Sequence, residues 1–147
     1  MSPIRNIWDE TQVDLKKDGI TPLDILQEQA KAINKQTDKT NIVSYVMSFS
    51  TTTNGLVDEI KHVLYLIPKN GNDYNYRFIE IASKPDTDYP LTVFAYQSGE
   101  SNFGPCQDEK DFYSALSKIF KDKRLKIVFE QLKNIGNTIE NWNNNKE

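Results

Sequence analysis

Asn54-Gly55 stands between two long runs of β-type sequence, and no other dipeptide in the chain constrains the fold as tightly. A type I′ turn needs positive φ at both central residues, a conformation that Asn tolerates and Gly adopts freely, and its twist matches that of paired antiparallel strands. Upstream, Asn41 to Thr53 alternates. Val43, Tyr45, Met47 and Phe49 fall on one face and Ser44, Ser48 and Ser50 on the other, with Val46 breaking the polar side. Downstream, Leu56 to Ile67 puts Leu56, Ile60, Leu64 and Leu66 on one face together with Asp58 and His62, and Pro68 closes the run. The period of two predicts a half-buried hairpin.

Turn chemistry divides the next stretch. Asn70-Gly71-Asn72-Asp73 predicts a second turn and Tyr74 to Ser83 a third strand, with Tyr76, Phe78 and Ala82 on one side and Ile79 and Ile81 on the other. After a turn carrying Pro85 and Pro90, Leu91 to Gln97 reads as a fourth strand, apolar on both faces, and Ser98 to Gln107 as a loop. Helical signals flank this block. Thr21-Pro22 offers an N-cap followed by proline at the first helical position, and Leu23, Leu26, Ala30 and Ile33 continue at helical spacing to about Gln36. Asp108 or Glu109 opens a second helix with Phe112, Leu116, Ile119 and Phe120 as its stripe. Lys121 to Arg124 interrupts it, and Leu125 to about Ile135 resumes, with Gly136 as the expected C-terminal cap.

The order helix, four strands, helix, helix, with short turns between successive strands, predicts an α+β fold: a four-stranded antiparallel meander sheet with one helix before it and two helices after it. Residues 1–20 read as an irregular lead-in whose Trp8 packs on the body, 21–136 as a single α+β domain, and 137–147 as an Asn-rich tail expected to fray.

The 18 Lys plus Arg against 21 Asp plus Glu leave a net charge of −3, so the basic excess that usually accompanies phosphate binding is missing. A single cysteine allows no internal disulfide, the first ten residues carry no apolar leader segment, and the longest apolar run, Val63 to Ile67, is far short of the ~20 residues that span a bilayer. The expectation is a cytoplasmic protein of bacterial type that makes no membrane contact.

Chemistry-bearing residues are sparse. His62 is the sole histidine and has no His or Cys partner at ligand spacing. Cys106 precedes a helix, where the dipole lowers a thiol pKa, although free cysteines are usually small buried hydrophobes. Asp86, Asp88, Glu100 and Asp108 are loop and helix-start carboxylates that a hydrolase reading would use, yet turn hydrogen bonding and helix capping account for the positions of Asp86, Asp88 and Asp108. No catalytic set, cofactor motif or metal set is assigned. Lys118, Lys121, Lys123, Arg124 and Lys126 form the one basic cluster, the candidate anion contacts, offset by Asp122.

What remains is association. Seven tyrosines and polar-faced strands suit a surface that tolerates water yet gives contact area. The expected function is a non-enzymatic protein-binding domain, of the kind found among immunity proteins, inhibitors and chaperones, with Tyr74, Tyr76, Tyr89, Tyr96, Glu100 and Phe103 as contacts. A module for small ligands or single-stranded nucleic acid, stacking bases on strand aromatics, is the alternative. A homodimer is compatible with either reading.

Overall fold

The structure is a computed structural model that describes residues 4–5, 10, 19–38, 40–69, 75–96 and 101–144, with side chains described as far as 138 and not at Ser101. Helix α1 spans Pro22–Gln36. Strands follow at Ile42–Thr53 (β1), Leu56–Pro68 (β2), Tyr76–Ser83 (β3) and Thr92–Ala95 (β4), with a two-residue strand, β5, at Ser101–Asn102. Helices α2, Glu109–Phe120, and α3, Lys123–Asn144, complete the order. The strands form one antiparallel sheet in chain order, β1-β2-β3-β4-β5. The helix–meander–helix–helix fold read from the sequence is the fold observed, with β5 added at the far edge.

Local chemistry accounts for the element boundaries. Thr21 and Asp24 form a reciprocal capping box at the start of α1: the Thr21 hydroxyl accepts from the Asp24 N–H, and the Asp24 carboxylate accepts from the Thr21 N–H at 2.9 Å. Asn54 and Gly55 take φ of 53° and 79°, as a type I′ turn requires. Asp108 caps α2 by accepting from the Asp111 N–H at 2.8 Å. The break between α2 and α3 falls at Lys121–Asp122.

The helices lie on one face of the sheet. The main core joins Leu26 and Ala30 of α1 to Ile42, Leu64, Leu66, Ile79, Ile81 and Val93 of the strands and to Phe112, Leu116 and Leu132 of the later helices. Val63, Tyr65 and Ala82 are buried outside that cluster and alternate with its members, which places them on the opposite face.

Three details differ from the sequence expectation. A β-bulge between Leu64 and Tyr65 of β2 resets the register against β3, so that Leu64 faces Ile79 and Tyr65 faces Arg77. Phe78 is the extra residue, and both Phe78 and Ile79 enter the core while Ala82 falls on the other face. Strict alternation puts Phe78 with Ala82 and against Ile79. Second, Gly136 does not end a helix: α3 continues to Asn144. A Cβ at Gly136 would stand 3.1 Å from the Asn41 carbonyl oxygen and 3.2 Å from the Asn41 Cβ, so this glycine serves the close approach of α3 to the start of β1. The same junction is tied by Asn41 Nδ2 donating to Asn137 Oδ1 at 2.9 Å. Third, the fourth strand is shorter than expected, running from Thr92 to Ala95, with Leu91 outside it in an isolated bridge with Cys106. The turn at 70–73, the position of Trp8 and the side chain of Trp142 lie outside what is described.

Candidate binding surface

The two faces of the hairpin differ in what packs on them. On the helix face, Ile42, Ser44 and Val46 of β1 pair with Pro68, Leu66 and Leu64 of β2. On the opposite face run Val43, Tyr45, Met47 and Phe49, paired with Ile67, Tyr65, Val63 and Lys61. Among the described residues no helix packs on this second face. Tyr45 and Tyr65 stack with ring centroids 5.2 Å apart and planes 18° from parallel. Arg77 stands 5.7 Å over the ring of Tyr96, and hydrogen bonding to Tyr96, with a smaller contribution from Tyr65, holds its guanidinium above the ordinary range. Between them sits Glu80, 7% exposed, with Arg77 at 3.5 Å and Lys61 at 3.9 Å. Phe94 pairs across from Glu80. Met47 and Phe49 are 44% and 40% exposed, and Leu56, beyond them at the hairpin tip, is 72% exposed. An aromatic and cationic centre thus grades into an apolar, exposed hairpin end.

The tyrosines named from the sequence do not gather on one surface. Tyr96 belongs to the face just described, against Arg77. Tyr76, Tyr89 and Phe103 are partly buried and pack against the core from the helix side. Tyr74 and Glu100 lie outside the described residues. Tyr89 has a buried hydroxyl with no hydrogen-bond partner, and burial, with Glu109 and then Asp88 nearby, pushes its pKa up to about 12. Sequence reasoning missed Tyr45, Tyr65 and Arg77 as a group; the alternation of β1 placed Tyr45 beside Met47 and Phe49, but the pairing register was needed to bring Tyr65 opposite.

The residues of the basic cluster fall around the break between α2 and α3. Lys118 lies in the last turn of α2 and Lys121 at its C-cap. Arg124 makes a forked contact with Asp122, Nε at 3.2 Å and an Nη at 2.9 Å, which lowers the Asp122 carboxyl pKa. Lys126 lines a cleft of about 600 Å³ between α1 and α3, floored by Ile42, Phe78, Phe120, Leu125 and Phe129 and rimmed also by Gln29, Gln36, Glu130 and Lys133. Lys123 starts α3.

His62 sits on the helix side, its Nδ1 2.7 Å from the Ser48 hydroxyl, beside a pocket of about 210 Å³ that includes Thr21, Pro22 and Asp88. Burial lowers its pKa, and Asp88 opposes that shift. Cys106 is buried and bridged to Leu91 by two backbone hydrogen bonds, and burial, followed by Asp111 and Asp108, raises its thiol pKa, the reverse of what an activated thiolate needs. Asp111 accepts from the Gln107 N–H at 3.0 Å and Asp108 from Asp111, so both carboxylates cap α2. No group of three His, Cys, Asp or Glu residues suited to a metal occurs among the described residues, and no helix there is long and apolar enough to cross a membrane.

No protein-family model, curated protein or solved structure matches this chain.

Proposed function

We propose that the protein is a non-catalytic domain that binds another protein through the sheet face opposite its helices. One observation carries the reading: Met47 and Phe49 stand exposed on a face whose neighbouring positions hold the Tyr45–Tyr65 stack and the Arg77–Tyr96 pair. Aromatic residues, Met and Arg are the types enriched in the centres of protein interfaces, and Glu80 between Lys61 and Arg77 supplies a fixed charge pattern for orientation. The chemistry of Cys106 supports the non-catalytic part, since the thiol is buried and burial disfavours the thiolate a nucleophile needs. The test is a paired measurement on Phe49→Ser and Met47→Ser. Association with a partner identified from the source cell should weaken by ~1 kcal/mol or more per site while the melting temperature barely moves. A fall in melting temperature without selective loss of binding would remove the proposal.

The cleft between α1 and α3 favours a second reading, a site for a small amphipathic ligand. Its volume falls within the ~300–1,000 Å³ usual for such sites, and it joins an aromatic floor to the lysines Lys126 and Lys133. Saturable binding of an apolar anionic dye, abolished by Phe129→Arg and weakened by Lys126→Glu, would favour it. Unchanged binding in both variants would exclude it.

A further inference from the structure

The β1 edge of the sheet is capped for only part of its length. Strand β1 pairs with β2 on one side and, among the described residues, has no strand on the other. Its twelve residues, Ile-Val-Ser-Tyr-Val-Met-Ser-Phe-Ser-Thr-Thr-Thr, include no charge, no proline and no glycine, so the charges and prolines that commonly protect an edge strand are missing. Which backbone groups point outward follows from Ser44. Its N–H donates to Asn34 Oδ1 at 2.7 Å, and its carbonyl accepts from Asn34 Nδ2 at 2.9 Å. Ser44 therefore faces away from β2, and so, by the period of two, do Ile42, Val46, Ser48 and Ser50. The Ile42 carbonyl accepts from the Thr37 hydroxyl at 3.2 Å. Thr37 and Asn34 both belong to the C-terminal end of α1. The other end of α1, at Thr21 to Leu23, lies beside His62, Ile81 and Leu91, so the helix crosses the sheet diagonally and leaves the edge behind it. The outward N–H and C=O groups of Val46, Ser48 and Ser50 have no protein partner among the described residues. A bulge between Thr51 and Thr52 ends the regular segment on the far side.

We infer that this window pairs with the same window of a second copy, β1 against β1 in antiparallel sense about a two-fold axis at Ser48, joining two sheets into one. The sequence is self-complementary in that register. Ser48 meets Ser48 of the second copy, Val46 meets Ser50, and each of these pairs exchanges two hydrogen bonds across the interface. On the face opposite the helices, Met47 of one copy lies across from Phe49 of the other, an apolar pair formed twice by symmetry. No charge in β1 opposes the approach. Asn34 limits the register at one end by occupying the groups of Ser44, and the bulge limits it at the other. This inference does not rest on the proposed heterologous partner.

The test is sedimentation equilibrium of the full chain, up to about 1 mM. The wild type is expected to show a reversible dimer. Ser50→Pro deletes an N–H that β2 does not use, twice per dimer, and is expected to raise the dissociation constant about thirtyfold. Ser48→Lys and Ser48→Asp should each be monomeric through like charges on the axis, and an equimolar mixture of the two should dimerise again. If the proline variant does not fold, as judged by circular dichroism, the charge pair decides. A wild type that stays monomeric throughout, as it would if another part of its own chain occupied the edge, overturns the inference. So does a dimer that all three variants leave intact, or a charge-variant mixture that stays monomeric.

Discussion

Replacing Asn34 by alanine should destabilise the fold by far more than an ordinary mid-helix substitution. Its carboxamide copies the hydrogen bonding of a strand residue: Nδ2 donates to the Ser44 carbonyl at 2.9 Å, and Oδ1 accepts from the Ser44 N–H at 2.7 Å and from its hydroxyl at 3.1 Å. Ser44 is only 3% exposed, so water does not readily replace the lost partner. A buried donor and a buried acceptor would each be left unmade, at about 1–3 kcal/mol apiece. The Ser44 hydroxyl retains its bond to the Ala30 carbonyl at 2.7 Å and adds little to the loss. Against this, alanine regains about 0.5 kcal/mol of helix propensity over asparagine. The net expectation is about 2–4 kcal/mol, read as a shift in urea midpoint at constant m-value. Asn34→Asp keeps the acceptor for the Ser44 N–H but sets a carboxylate against the Ser44 carbonyl, so it should not rescue. A double-mutant cycle with Ser44→Ala should show little coupling, because the cycle leaves the Ser44 backbone groups untouched. A loss below about 0.5 kcal/mol for Asn34→Ala would mean that the carboxamide does not carry the edge groups.

Other outcomes follow from single contacts. Because burial lowers the His62 pKa, the folded state resists its protonation; stability should fall as pH drops below about 6.5 through the folded pKa, and His62→Gln should flatten that fall in thermal melts from pH 7 to 5. An identical acid profile in the variant would count against the buried placement of the ring. Tyr89→Phe removes a buried hydroxyl with no partner and should leave stability unchanged or raise it by up to about 1 kcal/mol. It should also remove the Tyr89 share of stability that is present below about pH 10 and lost as pH rises toward about 12, measured by alkaline titration of the melting temperature. A clear loss of stability at neutral pH would show that the hydroxyl has a partner. Gly136→Val drives a side chain onto the Asn41 backbone and should cost about 1–3 kcal/mol in a denaturant melt, whereas a neutral result would contradict the close packing of α3 on β1.

The sequence was most informative where one or two neighbouring residues decide the geometry. Asn54-Gly55 specifies a turn through its own φ preferences, and Thr21 with Asp24 caps a helix within one turn. Such signals act over a few residues and hold whatever the rest of the fold does. The bulge that carries both Phe78 and Ile79 into the core is a property of pairing with β2, so alternation alone assigns one of them to the wrong side. Gly136 has the spacing of a helix cap, and only the nearness of Asn41 shows that it is a packing glycine. Likewise the tyrosines have one composition and several environments. Tyr45 and Tyr65 stack on the open face, while Tyr76 and Tyr89 face the core, a division fixed by strand register and by the loop after β3. Asn34 reads as a poor helix former and nothing more until Ser44 is placed beside it.

The central claim, that the face carrying Phe49 is where a protein partner binds, can be tested in the source cell before that partner is identified. A photo-crosslinking benzoyl-phenylalanine in place of Phe49 is compared with the same group in place of Ile127, which is 57% exposed on α3, away from the sheet. On irradiation, the probe at position 49 should give a discrete covalent adduct with a protein other than this chain, and the probe at 127 should not. A self-adduct at 49 reports the β1–β1 pairing and leaves the claim to the heterologous band alone. Absence of that band at 49, or equal capture from position 127, would contradict the assignment of the sheet face as the binding surface.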